Sequence, residues 1–213
     1  MSTIEKMNVH KALAELKIID SRITKAILEG TYCATNKHSN DKIWGIPVEE
    51  FENNIVAYHQ KANDLIKRAN AIKRAVVLSN AITKVTIAGV EYTVAEAISM
   101  KNHGIMYYES LLAELRRQYA TAKKEITLRN GDELESRANN YVATLLGGKD
   151  KLNTEEANKM KTTFIEAQSL ELVDPIKILD RINDLDDMIA NFKAEVDSAL
   201  SYSNAVTEIS IEY

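Results

Sequence analysis

The sequence predicts a mainly α protein, built from long antiparallel helices in a coiled-coil or bundle arrangement with a small three-stranded β-sheet. Three observations predict this fold class. Apolar residues recur in alternating steps of four and three along three long segments, only two prolines and seven glycines interrupt the 213 residues, and a short phrase with a strand-like ending occurs twice. Because helix breakers are scarce, the elements should be few and long. We expect a single helical domain over residues 1–213.

Composition and charge narrow the classes of function. Apolar residues make up 45% and charged residues 27% of the chain, as in folded soluble proteins. The formal charge of -4 lacks the basic excess of dedicated nucleic-acid binders, so we expect no nucleic-acid partner. No stretch approaches the roughly 18 uninterrupted apolar residues of a membrane span, and the first twenty residues lack the apolar core of a signal peptide. With Cys33 as the single cysteine, these features predict a cytoplasmic protein with no membrane partner.

The periodic segments predict three long helices, each with one apolar seam. Steps that average 3.5 residues are typical of helices packed nearly parallel to one another. The seam of 48–79 consists of Phe51, Ile55, Tyr58, Ala62, Leu65, Ala69, Ile72 and Val76. The seam of 94–126 consists of Val94, Ile98, Lys101, Ile105, Tyr108, Leu112, Leu115, Tyr119, Ala122 and Ile126. The seam of 175–200 consists of Ile178, Ile182, Leu185, Ile189, Phe192, Val196 and Ala199.

Shorter or less regular patterns predict the remaining helices. The first covers about 3–29, and two others cover roughly 132–146 and 154–168. For the last long helix we expect Asp174 as the cap and Pro175 at the first helical position, where the missing N–H of proline would have been unpaired anyway.

The repeated phrase reads “SNAITKVTI” at 79–87 and “SNAVTEISI” at 203–211. Asparagine tolerates the left-handed conformation that ends helices, so we expect each helix to end at Ser-Asn. Alternating apolar and polar residues follow in both copies, which is the strand period. Each long helix is therefore predicted to continue into a strand.

These strands are expected to meet in one sheet. The first copy begins a β-hairpin at about 83–93 that turns at Ala88-Gly89, and the second forms a C-terminal strand at about 206–213. A lone hairpin is only marginally stable in water, so the C-terminal strand is the natural third strand. The sheet is completed either within the chain or between subunits.

The segment 66–101 resembles the septicolysin-like family of bacterial and phage helical proteins. The family pattern N-x-T, then G, then T-x-x-E-A is carried here by Asn80, Thr83, Gly89, Thr93, Glu96 and Ala97. Where the family commonly has Arg-Asp after this pattern, this chain has Lys101-Asn102. The resemblance implies paired long helices around the segment. Separately, the long helices rich in Lys, Asn and Ile look like those of small phage accessory proteins. The family label hints at pore formation, but the sequence contains no amphipathic hairpin suited to membrane insertion, so we do not transfer that activity.

No catalytic or metal-binding motif stands out. His10, His38, His59 and His103 form no H-E-x-x-H motif, and none is spaced with Cys33 as in zinc sites. Neither glycine-rich phosphate-binding motif occurs. We therefore expect a protein that is not an enzyme and that holds no metal and no cofactor.

Basic residues near the seams are the best candidates for ligand contacts. Arg68 and Arg74 lie on the second helix, Arg116 lies on a later one, and Lys101 takes a seam position that should be apolar. Flanking charges set helix register in coiled coils, whereas arginine forks from neighbouring helices also hold phosphates. Lys101 precedes Gly104, which costs about 1 kcal/mol in a helix. That segment is either functional or a kink from which Lys101 reaches water.

The predicted loop 30–47 is longer than most helix connections and carries the only tryptophan, Trp44. Trp44 either closes the end of the bundle or stacks, with Tyr32 and His38, on a flat ligand. Both interpretations stay open on the sequence alone.

Two functional hypotheses follow. The first is a non-enzymatic, homo-oligomeric interaction protein, of the phage or prophage accessory type, whose partners are its own copies or a host protein. The alternative is a protein that captures a small anionic ligand, such as a nucleotide-like signal in an anti-defence role. The residues proposed to contact that ligand are Arg68, Arg74, Lys101, Arg116, Trp44 and His38.

Overall fold

Long helices form most of the chain in the computed structural model, which describes residues 4–148, 152 and 154–213. The helices are α1 (Val9–Glu29), α2 (Val48–Ile82), α3 (Val94–Ser99), α4 (Ile105–Arg129), α5 (Asp132–Leu146), α6 (Glu155–Gln168) and α7 (Ile178–Val206). The strands are β1 (Ile4–Asn8), β2 (Lys42–Ile43), β3 (Ile46–Pro47), β4 (Lys84–Ile87), β5 (Val90–Thr93) and β6 (Glu208–Glu212). The predicted mainly α fold class is confirmed.

The chain divides into two compact units. Unit 1 comprises Met1–Asn102 and Asn191–Tyr213, and unit 2 comprises His103–Ala190. The prediction of a single domain concerns independent folding and stays a prediction.

In unit 1, α1 and α2 run antiparallel. Ala12, near the start of α1, shares a buried cluster with Ile72 and Val76 near the end of α2. Thr31, just after α1, lies beside Phe51 at the start of α2. The α2 seam predicted from the sequence is the inward face, since each of its positions except the exposed Tyr58 is buried or half-buried.

The prediction of one three-stranded sheet is wrong. Among residues 4–148, 152 and 154–213 the strands form three separate antiparallel pairs, β1 with β6, β2 with β3 and β4 with β5. The C-terminal strand pairs with Ile4–Asn8, a segment that the sequence assigned to the first helix. This strand is hard to recognise because Met7 is its single buried residue. Its apolar neighbours are Ile209 and Ile211, and the three residues belong to the core of unit 1.

Both helices end two residues beyond the predicted Ser-Asn pair, at Ile82 and at Val206. The backbone N–H of Thr83 donates to the Ser79 carbonyl at 2.9 Å, and that of Thr207 donates to the Ser203 carbonyl at 2.9 Å. The Ser-Asn pairs therefore lie inside the last helical turn. The turn to the extended chain takes place at the threonines, because Thr83 has φ -72 and ψ 129.

The start of the last helix also differs from the prediction. Helix α7 begins at Ile178 and not at Pro175. Asp174 still caps it, because its carboxylate accepts the Ile178 N–H at 2.8 and 2.9 Å. Lys177 has φ +54, a left-handed conformation that breaks the helix before this point.

Residues Met100–Gly104 form a π-helical turn. They include the segment from Lys101 to Gly104 that the sequence marked as either functional or kinked. Such turns insert one extra residue into a helix, and they account for many helix distortions. Gly104 has φ -63 and ψ -43, so glycine is not required there for a left-handed conformation. The kink interpretation of this segment agrees with the π-turn.

In unit 2, helices α5 and α6 pack through small and branched side chains. Leu134, Ala138 and Val142 of α5 are buried, as is Ala157 of α6. The side chain of Asn130, at the end of α4, bonds both the N–H and the carbonyl of Leu170, each at 2.8 Å. It thereby fixes the segment that follows α6.

The hairpin turn between β4 and β5 yields a prediction of stability. Ala88 and Gly89 have φ +50 and +78, and an L-residue other than Asn, Asp or Gly pays an energy cost in this region. We expect Ala88→Asn to raise the free energy of unfolding by about 0.5–1 kcal/mol, since asparagine is favoured in such turns. Chemical denaturation measures the change. Ala113→Asn, at an exposed site inside α4, is the control and should lower stability; an Ala88→Asn protein no more stable than the native chain would contradict the argument.

Candidate interaction surface

Arg68 lies on α2 at the centre of a network of charged and polar side chains. Its guanidinium forms a two-pronged pair with the Glu15 carboxylate of α1 and donates to Glu5 of β1 at 2.9 Å. It also bonds the Tyr213 hydroxyl and lies 5.0 Å from the centre of that ring. Arg68 thus ties together α1, α2, β1 and the C-terminal residue.

The contacts of Arg68 shift the pKa values of Glu15 and of Arg68 itself. The hydrogen bond from Arg68 lowers the pKa of Glu15, and burial opposes this effect only in part. The same contact with Glu15, and a second with Glu5, raise the pKa of Arg68 above its ordinary value. With its donors engaged in this way, Arg68 serves the fold and offers no free fork to an external anion.

Two more of the predicted ligand residues also pair with carboxylates. Lys101 contacts Asp197 of α7 in unit 1, and Arg116 contacts Asp186 of α7 at 2.9 Å in unit 2. These pairs link residues on different helices. This arrangement matches the interpretation in which charges beside the seam set helix register.

Arg74 and His38 are exposed, and neither makes a hydrogen bond or ion pair with any residue that the structure describes. Arg74 follows Arg68 on α2 by six residues, which is about 9 Å along the axis and on another side of the helix. Within the described ranges, no hydrogen bond, ion pair or ring contact joins any two of the six predicted ligand residues. The sequence therefore named residues that the fold keeps separate.

Trp44 lies at the tip of the β2–β3 hairpin, an element that the sequence did not predict. Trp44 and Gly45 have φ +47 and +86, in a kind of turn that usually selects Asn-Gly. The indole is 75% exposed, and its edge contacts the Phe51 ring with centroids 5.3 Å apart. Tyr32 instead donates its hydroxyl to the Ala26 and Ile27 carbonyls at 3.2 Å. Trp44 and Tyr32 therefore do not stack together.

The cavity beside Trp44 is small. It measures about 130 Å³ and is lined by Thr31, Phe51 and Tyr58 among others. Sites for drug-sized ligands usually measure about 300–1,000 Å³. The cavity beside Trp44 is therefore too small to enclose a drug-sized ligand.

A larger groove lies between α5 and α6 in unit 2. Its volume is about 800 Å³, and its walls include Leu145, Met160 and Lys159. Tyr141 and Phe164 stack in it, with ring centroids 4.7 Å apart and planes at 29°. None of these residues was singled out from the sequence as a ligand residue, because the pairing of α5 with α6 leaves no local motif.

Large apolar side chains are exposed at the ends of two helices in unit 1. Leu78 and Ile82 of α2 expose 59% and 78% of their surface, and we call this pair the Leu78 face. Tyr202 and Val206 of α7 expose 72% and 57%, and we call this pair the Tyr202 face. Each pair is spaced by four residues and so lies on one side of its helix.

The described part of the chain contains neither a candidate metal site nor a candidate membrane-spanning helix. No group of three or more His, Cys, Asp or Glu residues there is placed to hold a metal ion. No described helix is long and apolar enough to cross a membrane.

No family model, curated protein or solved structure matches this chain. The likeness of segment 66–101 to the septicolysin-like family stays a prediction.

Removing Arg68 tests the charged network. Arg68→Gln leaves the half-buried Glu5 and Glu15 without their cation, so the free energy of unfolding at pH 7 should fall by about 2 kcal/mol. Because folding lowers the pKa of Glu15, the contribution of the pair is complete above the ordinary glutamate pKa and is lost as the pH falls through the lowered value. Denaturation curves at several pH values should show that the free energies of unfolding of the native chain and of Arg68→Gln become more similar in acid.

Arg74→Gln is the matched control, since Arg74 is exposed on the same helix. Its effect should stay within about 0.5 kcal/mol at every pH. Equal losses for Arg68→Gln and Arg74→Gln would contradict the structural role of Arg68.

Proposed function

We propose that the protein is a non-enzymatic interaction protein that assembles into homo-oligomers through the apolar faces at the ends of α2 and α7. The observation that carries this proposal is the exposure of four large apolar side chains, Leu78, Ile82, Tyr202 and Val206. Exposed apolar side chains one helical turn apart form the kind of surface that a partner can cover.

The energetics favour assembly that depends on concentration. Fully burying an exposed large apolar side chain contributes about 1.5–3 kcal/mol. Four of them at one interface therefore contribute at most about 6–12 kcal/mol, because each is already partly buried in the monomer. Association costs an estimated 4–15 kcal/mol in lost freedom. These magnitudes are comparable, so the oligomer should dissociate on dilution.

The charged residues support assembly over anion capture. Arg68, Lys101 and Arg116 are each paired with a carboxylate of the same chain. An anionic ligand would have to displace these partners. The cytoplasmic setting, the phage accessory role and a host protein as a further partner remain parts of this proposal that rest on the sequence alone.

A second candidate function is the capture of a small molecule in the α5–α6 groove. Its volume of about 800 Å³ falls within the usual range for ligand sites. The stacked rings of Tyr141 and Phe164 offer an aromatic wall, and Lys159 offers a cation to an acidic group. This site differs from the one that the sequence suggested, which centred on Arg68 and Trp44.

Sedimentation velocity over a dilution series tests the main proposal. We expect the mean mass of the native chain to rise with concentration above that of a monomer. Trp44→Ala should assemble like the native chain, because Trp44 lies outside both faces. A native chain that stays monomeric up to millimolar concentration would contradict the proposal. Native mass spectrometry on the same sample tests the second candidate, which requires a discrete small molecule that is released on unfolding.

A further inference from the structure

Three aromatic side chains line the small cavity beside the β2–β3 hairpin. Trp44 comes from the tip of the hairpin, Phe51 and Tyr58 come from the first three turns of α2, and Thr31 follows the end of α1. The ring planes of Trp44 and Phe51 lie at 85°, so two walls meet nearly at a right angle. The volume of about 130 Å³ admits a compact group of a few heavy atoms. Because the faces of aromatic rings are electronegative, such a corner of rings attracts small cations.

The backbone of Trp44 is strained. Its φ of +47 lies in the left-handed region, where the Cβ of an L-residue crowds the following carbonyl oxygen. The indole is 75% exposed, so its burial does little to offset the strain. Strained backbone of this kind is concentrated at ligand-binding and other functional sites. The conformation of Trp44 therefore favours a role at the surface over a role in the core.

The charges around the cavity favour a cation. No Lys, Arg or His residue of the described chain lines it. Glu50 and Glu52 flank Phe51 in the sequence and are exposed, so negative charge lies close to the aromatic wall. Lys42 is the basic residue of the hairpin, and it lies opposite Pro47 at the open end, outside the cavity lining.

The lining also distinguishes between kinds of cation. No carboxylate of the described chain lines the cavity, so an ammonium with N–H groups would lose its water without gaining charged acceptors. A trimethylammonium group has no N–H, and its methyl groups can pack against the rings and against Ile46 and Ile55. Asn54 also lines the cavity, and its side chain makes no hydrogen bond within the described chain. It is therefore free to bond a hydroxyl group on the same ligand.

We propose that Trp44, Phe51 and Tyr58 form an aromatic cage that binds a small organic cation through its trimethylammonium group. The rings stabilise the positive charge, and the methyl groups fill the cavity. A methylated lysine in a peptide carries the same group, and the experiment below separates the two sources. The cage lies outside the Leu78 face and the Tyr202 face, so this inference goes beyond the proposed assembly and does not depend on it.

Fluorescence titration of the full-length chain tests the cage. Trp44 is the single tryptophan, so its emission reports directly on the site. The probe is choline chloride, and sodium chloride at the same concentration is the salt control. The uncharged control is 3,3-dimethylbutan-1-ol, which has the shape of choline with carbon in place of nitrogen. A short peptide with trimethyllysine, beside its unmodified form, tests the peptide source.

We expect choline to cause a saturable change in emission, with a dissociation constant in the millimolar range or below. The uncharged analogue should bind about tenfold more weakly, because it lacks the cation–π attraction. The trimethyllysine peptide should bind no more tightly than choline.

Variants at Tyr58 test the contribution of one ring. Tyr58→Leu keeps an apolar side chain and should weaken the binding of choline about 2- to 30-fold, whereas Tyr58→Phe keeps the ring and should bind like the native chain. Tyr108→Leu is the matched control, since Tyr58 and Tyr108 expose 38% and 41% of their surface. Trp44→Leu should abolish binding, measured by line broadening of the choline methyl protons in NMR. Circular dichroism checks that each variant folds, and the exposed Tyr58 carries the test if Trp44→Leu does not.

Four results would overturn the inference. The first is the absence of a saturable change in emission up to about 50 mM choline, since three rings that act together should bind more tightly. The second is equal affinity for choline and for the uncharged analogue, because the cavity would then recognise shape without charge. The third is native affinity in Tyr58→Leu, which would place the binding elsewhere. The fourth is binding of the trimethyllysine peptide without binding of choline, which would make the ligand a modified protein.

Discussion

The structure of unit 1 depends on how the ends of α2 and α7 pass their unpaired backbone groups to the strands that follow. The last carbonyls of a helix have no partner within the helix, and buried groups of this kind must be paired. Thr83 meets this constraint twice, because its N–H bonds back to Ser79 and its carbonyl accepts the N–H of Val94. One residue thereby joins the end of α2, the strand β4 and the start of α3. Thr207 does the same for α7, β6 and α1.

The Arg68 network adds a second constraint at the chain ends. A half-buried guanidinium needs partners, and here they come from β1, α1 and Tyr213. Each partner lies far from Arg68 in sequence, so the network forms only when strand β1 has paired with β6 and α1 has packed on α2. Burying a lone charge is costly. The network therefore stabilises the native arrangement, and any arrangement in which Arg68 is buried without these partners is destabilised.

Much of the fold followed from local sequence patterns. The long helices were predicted because their seams recur over many turns, and α5 has the predicted bounds because Gly147, with φ +74, ends it in the left-handed conformation. The β4–β5 hairpin also depends on neighbouring residues alone, because Ala88 and Gly89 form its turn. Strand β1 was missed because its pairing partner is about 200 residues away. The start of α7 was missed because the left-handed Lys177 contradicts its own local preference.

The candidate site was harder to predict for the same reason. Arg68 was named from the sequence either as a charge that sets helix register or as a ligand contact. Its partners Glu5, in β1, and Tyr213, directly after β6, come together only through strands that pair across the whole chain, so the network itself could not be predicted. The turn at Trp44 departs from the usual residue preference, and no pattern around it indicates a two-residue hairpin. The apolar faces escaped notice because Leu78 and Ile82 lie off the seam, where an isolated apolar residue carries no signal.

A circular permutant tests the equivalence of the two junctions most directly. The chain would be opened between Ala88 and Gly89, and Tyr213 would be joined to Ile4 by an Asn-Gly linker. If the junctions are equivalent, the β1–β6 pair accepts a turn as β4–β5 does, and chemical denaturation should give a free energy of unfolding within about 2 kcal/mol of the native value. A permutant that does not fold, or that loses most of the native stability, would contradict the account.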